Sequence, residues 1–255
     1  MLACVLGLSR LEVYLAHDRP VSESEKEDLR AMVARRGKGE PLAYILGDQE
    51  FCGLEFKVTR DVLIPRPETE HLVSCLREQA PQSSRGVDLG TGSGAIAVAL
   101  CHARPDLTMI ATDASGAALE VARDNAERLG VADRVEFREG SWWAPLADEP
   151  LLDFAVSNPP YVDPERSELL ADDVREFEPE SALMTPAGDP AAAYAAIVAG
   201  IEGRLKPGAL LFFETGVGAD DAALAVLERS DLLTDVALSD DEAGLPRYLF
   251  ARVRS

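Results

Sequence analysis

Apolar positions in residues 2–15 (Leu2, Leu6, Leu8, Leu11, Leu15) recur at roughly helical spacing, and a second helical pattern covers 22–37. Ser22 followed by Glu25 is a capping-box start for the second helix, and Gly37, Gly39 and Pro41 stop it. Two short helices cannot close a core by themselves, so they are expected to pack on another unit. Short β-prone runs flank Cys52-Gly53 and predict a hairpin over 49–59. Pro67 opens a further helix, with acids in its first turn and Leu72, Val73, Cys75 and Leu76 as its apolar face.

From residue 85 the pattern becomes a regular β–α alternation. Strands are predicted at 85–89, 107–112, 134–138, 151–157, 208–214, 232–238 and 247–253. Helical stretches at 94–103, 115–129, 190–204 and 219–230 lie between them. Apolar strands alternating with amphipathic helices indicate a mainly parallel sheet covered on both faces. The last two strands are joined by the turn residues SDDEAGLP with no helix between, so they should pair antiparallel at one edge. The expectation is an α/β fold.

Charge narrows the partners. The 255 residues hold 25 Lys+Arg against 45 Asp+Glu, a net −20, of which −3 falls in residues 1–80 and −17 in 81–255. Such a surface repels phosphate backbones and anionic membranes, so no stable nucleic-acid binding is expected. No stretch approaches the ~20 apolar residues of a membrane span, and the apolar start MLACVLGLSRLEVYL lacks the basic flank of a signal peptide. Cys4, Cys52, Cys75 and Cys101 form no CxxC pair, which reads as reduced thiols in a cytoplasmic protein. His17, His71 and His102 show no metal-ligand spacing, so no metal is expected.

Two motifs carry candidate chemistry. Val87-Asp88-Leu89-Gly90-Thr91-Gly92-Ser93-Gly94 lies between a predicted strand and helix, the setting of a nucleotide site. Gly90 and Gly92 let the backbone turn sharply towards a ligand, and Gly94 is expected to let the helix start close to the sheet. The run lacks the GK[ST] of a phosphate-gripping loop and is GxGxG, not GxGxxG. Asp113, 19 residues beyond Gly94 at a strand end, can accept both hydroxyls of a ribose. These features suit an adenosine ligand without a pyrophosphate, with S-adenosyl-L-methionine the leading candidate.

Asn158-Pro159-Pro160-Tyr161 follows the fourth strand, and its prolines hold the chain rigid where ligands of a parallel sheet bind. A planar amide or aryl-amine nitrogen is a poor nucleophile because its lone pair is delocalised. Asn158 Oδ1 and the Pro159 carbonyl are two acceptors that could grip both N–H bonds and orient that nitrogen towards an electrophilic methyl group. Tyr161 would wall the planar group.

The segment GEPLAYILGDQEFCGLEFKVTRDVLIPRPETE (residues 39–70), with DLGTGSGAIA, GSWWAPL, SNPPYVD and VREFEPESAL, resembles the HemK/PrmC family over nearly the whole chain. Members of that family methylate the side-chain amide nitrogen of the glutamine in the GGQ motif of bacterial peptide-chain release factors. The resemblance implies a class I S-adenosylmethionine-dependent methyltransferase, Rossmann-like, with a small N-terminal helical domain. It divides the chain into a helical substrate-docking domain at 1–48, a β-hairpin linker at 49–66 and a methyltransferase domain at 67–255. The docking domain is expected to be shortened, since relatives usually carry some twenty more residues before the point matching Met1.

The resemblance also implies that the cofactor meets Gly90, Thr91, Gly92, Ser93, Gly94, Asp113, Trp142 and Asn158, with Asn158, Pro159 and Tyr161 as the catalytic residues. The glutamine should meet Asn158, Pro159, Pro160 and Tyr161. Trp142 or Trp143 would stack on adenine. Ser141 departs from the family pattern, where an acid is common before that tryptophan. Arg66 and Glu68 could shape the substrate entrance or cap the helix at Pro67, and Glu214, ending the strand LLFFE, could lie near the site or cap the next loop, the loop role being favoured. A monomer is expected. The rival readings are methylation of a ribosomal-protein glutamine, of adenine flipped out of a nucleic acid, or a catalytically dead binding module.

Residues 163–189 hold nine acids against Arg166 and Arg175, a local −7. They form either a solvated acidic face or a rim that steers a basic GGQ loop towards Asn158.

Overall fold

A computed structural model describes residues 1–168 and 170–255. Four helices come first: α1 (Leu2–Leu6), α2 (Arg10–Leu15), α3 (Glu23–Arg36) and α4 (Leu42–Leu46). The single helix expected over 2–15 is broken in two. Gly7 turns left-handed at φ 63 and closes α1, and Ser9 then opens α2 with its own capping box to Glu12. α3 buries none of its residues and is held by charge. Glu40, buried beyond its end, accepts from Arg35 Nε at 2.8 Å and from Arg60 at 2.9 Å, and Arg35 also reaches the Tyr44 carbonyl.

The predicted hairpin is β1 (Asp48–Phe51) and β2 (Leu54–Lys57). Its two turn residues, Cys52 and Gly53, both have positive φ (52 and 74), the geometry that matches strand twist. Phe51 and Phe56 are fully buried edge-to-face, 5.8 Å apart, and pack on Leu72 and Leu76 of α5 (Glu70–Gln79). The hairpin is therefore anchored in the main core.

The remaining elements are β3 (Arg85–Leu89), α6 (Ala95–Ala103), β4 (Thr108–Asp113), α7 (Gly116–Arg128), β5 (Val135–Glu139) and β6 (Leu152–Ser157). They continue with α8 (Asp172–Phe177), α9 (Glu180–Leu183), α10 (Ala192–Ala199), β7 (Leu205–Glu214), α11 (Asp220–Glu228), β8 (Leu233–Asp240) and β9 (Pro246–Val253). α10 is shorter than the predicted 190–204 and ends at a Gly200 cap, where the Trp143 ring, 2.1 Å from the position a Cβ would take, leaves room only for glycine. α8 and α9 lie in the acidic stretch, whose charge hides the few apolar residues that seat them.

The seven strands are ordered β5-β4-β3-β6-β7-β9-β8, all parallel except β9, which runs antiparallel between β7 and the edge strand β8. Alternate residues face opposite layers: Phe212 packs with Phe154 and Met109, whereas Leu211 and Phe213 pack with Ala155, Tyr194 and Ile197. The chain runs outward from β3 to β5, then returns to β6 on the other side of β3. The loops leaving β3 and β6 therefore diverge and open a crevice at the C-terminal edge of the sheet.

Candidate active site

The loop after β3 is braced from below. Asp88, fully buried, accepts from Thr91 Oγ1 at 2.7 Å and from the Ala97 amide at 3.3 Å, and burial pushes its carboxyl up to about 7. The Gly90 and Thr91 amides both donate to the Thr112 carbonyl at 2.9 Å, which ties the loop to the end of β4. Gly90, Gly92 and Gly94 are all left-handed, at φ 77, 57 and 80. Asp113 Oδ2 accepts from the Gly92 amide and its Oδ1 from the Ser115 amide, each at 2.9 Å. A carboxylate offers about four acceptor sites, so Asp113 retains capacity for hydroxyl donors. Ser93 is held through its carbonyl by Asn125, whose amide also bonds the Lys57 backbone. Gly94 serves helix packing: a Cβ there would come within 3.1 Å of Ala122 on α7, so the close approach is to α7, not to the sheet.

Gly90 to Ser93 and Asp113 floor a cavity of about 400 Å³, a size suited to a small-molecule ligand. Gly92, Asp113, Trp142 and Asn158 line it, and Arg66 closes the far side. Trp142 sits in a left-handed turn at φ 47, and its indole lies 3.3 Å from where a Cβ on Gly90 would stand. Trp143 is instead buried in the core and donates its Nε1 proton to the Ile197 carbonyl at 2.8 Å. Of the two tryptophans, only Trp142 lines the cavity. Ser141 lines it too, as do Thr91, Ser93 and Pro160.

A second chamber of about 240 Å³ opens beside the first. Tyr161, Val162, Leu183 and Glu214 form its walls, and it shares Leu63, Arg66, Asn158 and Ala182 with the first chamber. Tyr161 packs close against Gly216, where a Cβ would lie 2.4 Å from its ring, and burial pushes its hydroxyl up to about 12. Gly94 and Pro159 line neither chamber. Asn158 stands where the two meet, its Nδ2 donating to Thr69 Oγ1 at 3.3 Å.

The structure decides two open alternatives, for Glu214 and Arg66, and moves one boundary. Glu214 is not the cap of an exposed loop: it is buried at the end of β7, accepts the Thr69 hydroxyl at 2.6 Å and lines the second chamber. Arg66 neither caps a helix nor stands free. It pairs at 2.6 Å with buried Glu178, whose other oxygen accepts the Ile64 amide at 3.1 Å, pinning the chain after α8 over the crevice. Residues 61–66, read as linker, wall the first chamber through Asp61, Val62, Leu63 and Pro65. Among the described residues no group of His, Cys, Asp and Glu could hold a metal ion, and no helix is long and apolar enough to cross a membrane.

Known proteins are similar to this chain over most of its length. Residues 1–47 match the PrmC N-terminal domain and residues 67–177 the methyltransferase small domain. The release factor glutamine methyltransferase of Nitratidesulfovibrio vulgaris is 44% identical, over 99% of this chain and 86% of that one. Its counterpart from Bordetella pertussis is 45% identical over 95% and 89%. This chain belongs to the release factor glutamine methyltransferase family. The likeness to solved structures, at lower identity, concerns the fold. The hMettl16 catalytic domain in complex with a MAT2A 3′UTR hairpin superposes with a TM-score of 0.63 at 18% identity, covering 84% of this chain and 81% of that one. A ribosomal protein L11 methylase from Lactobacillus delbrueckii subsp. bulgaricus gives 0.52 at 18% identity, over 74% and 81%. As a release factor glutamine methyltransferase, this chain presents two adjoining chambers with one carboxamide between them.

Proposed function

We propose that the first chamber holds S-adenosyl-L-methionine and the second the glutamine side chain of a release factor GGQ motif, with methyl transfer at their junction beside Asn158. The observation that carries this reading is that Asn158 lines both chambers. The residues present suit the donor: left-handed glycines that let a ligand lie on the backbone, a half-buried Asp113 with acceptor capacity for a ribose diol, and an indole above the loop. Bound there, S-adenosylmethionine supplies an electrophilic methyl on a sulfonium.

The chain's own residues do the rest. Asn158 Oδ1 accepts one N–H of the substrate amide, and the Pro159 carbonyl, one peptide further on, is the second acceptor the reading requires. Gripping both N–H bonds fixes the amide nitrogen at the junction and favours the charge that develops on it. Tyr161 and Leu183 exclude water around the planar amide. Gly90 to Gly94 and Asp113 hold the donor side, with Gly94 and Thr91 acting through the shape of the loop. The helices of residues 1–48 dock the release factor, the hairpin of 49–66 joins them to the methyltransferase body, and the enzyme acts as a monomer without stable nucleic-acid binding.

Labelled methyl transfer to purified release factor, compared with total RNA, DNA and ribosomal proteins, tests the reading. Label is expected on the release factor and lost when GGQ is changed to GGA. Label on nucleic acid with none on the release factor overturns it.

A further inference from the structure

Asn158 can grip a substrate N–H only if its oxygen, not its nitrogen, faces the substrate. The two ends of a carboxamide have nearly the same shape, so packing does not choose between them. Hydrogen bonding must. Thr69 Oγ1 lies 2.6 Å from Glu214 Oε2 and 3.3 Å from Asn158 Nδ2. An ionised carboxylate only accepts, so the single hydroxyl proton of Thr69 goes to Glu214. Thr69 Oγ1 then has only lone pairs to offer Asn158, and only Nδ2 can donate to them.

We propose that Thr69 and Glu214 are a positioning pair: the Glu214 carboxylate sets the direction of the Thr69 hydroxyl, which turns Asn158 so that Oδ1 meets the substrate amide. Neither residue needs to touch a reacting atom. The inference rests on Asn158 being the acceptor for the substrate amide, and it adds what holds that acceptor in register.

The polarity of this relay depends on the charge of Glu214. Glu214 is buried at the end of β7, and burial pushes its carboxyl up to about 7, partly offset by the Thr69 hydroxyl, Arg247 of β9 and the Asn158 amide, while Glu68 adds to the rise. The hydroxyls of Tyr161, Tyr194 and Tyr248 complete the groups around it. Once protonated, Glu214 becomes a donor. Thr69 can then accept from Glu214 and donate towards Asn158, which favours the reversed amide with Nδ2 towards the substrate. Two N–H groups would then face one another. Turnover is therefore present with Glu214 ionised and falls as pH drops through its raised value.

Thr69→Val keeps the shape of residue 69 and removes the relay, whereas Thr69→Ser keeps the hydroxyl. We expect Thr69→Val to lower kcat about tenfold to a hundredfold, with donor affinity and melting temperature near wild type, and Thr69→Ser to recover most of the loss. Glu214→Gln should flatten the acidic limb of the kcat profile around neutral pH. Wild-type kcat in Thr69→Val, a Thr69→Ser variant as slow as Thr69→Val, or an acidic limb unchanged in Glu214→Gln would each overturn the pair. A readout free of substrate runs beside these: in ¹⁵N-edited NMR the Asn158 Nδ2 protons should be protected from solvent exchange in the wild type and exposed in Thr69→Val. Equal protection in both also overturns the inference. A wild-type enzyme that fails to methylate release factor while the NMR contrast holds would instead refute the assigned substrate and leave the pair standing.

Discussion

Trp142 occupies a backbone conformation that a side chain of its size pays about 1–2 kcal/mol to adopt. Its carbonyl is held by the Thr112 hydroxyl at 3.3 Å, and its ring stands over Gly90. The turn thus fixes the indole at the chamber wall before any ligand arrives. Trp142→Gly relieves the backbone and deletes the ring, whereas Trp142→Ala deletes the ring and keeps the strain. Both variants should lose donor affinity by about tenfold or more, the scale of one aromatic stacking contact. Trp142→Gly should melt no lower than Trp142→Ala. Titration calorimetry and thermal melts separate the two effects, and a donor affinity unchanged in both would remove Trp142 from the binding surface. Asn158→Ala should abolish methyl transfer while leaving donor affinity within a few-fold. Calorimetry with S-adenosylmethionine checks it, and lost donor binding would show that Asn158 serves the first chamber more than the second.

At the scale of elements, two buried carboxylates join segments far apart in sequence. Glu40 holds the end of α3 to Arg60 beyond the hairpin, and Glu178 holds the chain after α8 to Arg66 and Ile64. The Arg35 and Arg60 guanidiniums hold the Glu40 carboxyl down at about 2, well below its ordinary value. Its stabilising effect is therefore full above the unfolded carboxyl pKa of about 4.3 and fades as pH falls towards 2. Both arginines are largely exposed, so the loss in Glu40→Gln at pH 7 should be about 1–2 kcal/mol rather than that of a fully buried pair. Melts of wild type and Glu40→Gln at pH 7 and pH 3 should differ more at pH 7, and a gap that widens at pH 3 would contradict the ion pairing.

Regular elements were legible where periodicity was the only signal. Each predicted strand lies within three residues of an observed one: the central strands β3, β4, β6 and β7 are apolar runs, and the outer strands β5 and β8 still carry a buried apolar residue at their start. The failures have local causes. Leucine spacing across 2–15 masked the Gly7 stop and the Ser9–Glu12 capping box, and a run of acids masked α8 and α9. The glycine loop and the Asn-Pro-Pro-Tyr turn were legible as site material because their chemistry is contiguous. A place near the site was one of two readings of Glu214, but Thr69 and its pairing with Glu214 were not legible: the two are 145 residues apart, and only the fold makes them neighbours.

For the whole molecule, the net charge of −20 is unevenly useful. In the acidic stretch, Glu178 is consumed internally by Arg66, while Glu165, Glu168, Asp172, Glu176 and Glu180 stay exposed close to the elements that wall the second chamber. If they steer a basic loop, association with release factor should slow as salt rises towards 0.15 M, where the screening length is about 8 Å. Neutralising Asp172 with Asp173 should reduce that salt dependence, as read by stopped-flow binding. A rate indifferent to salt would make the acids a solvated face.

The two chambers share Leu63, Arg66, Asn158 and Ala182, so nothing bulkier than a few side chains stands between a donor and an acceptor. A single small molecule could therefore occupy both. Joining an adenosine-like half to a carboxamide-bearing half by a short tether would turn two weak binding events into one, each half raising the local concentration of the other. The same opening that lets a methyl group cross is thus a handle for inhibitor chemistry.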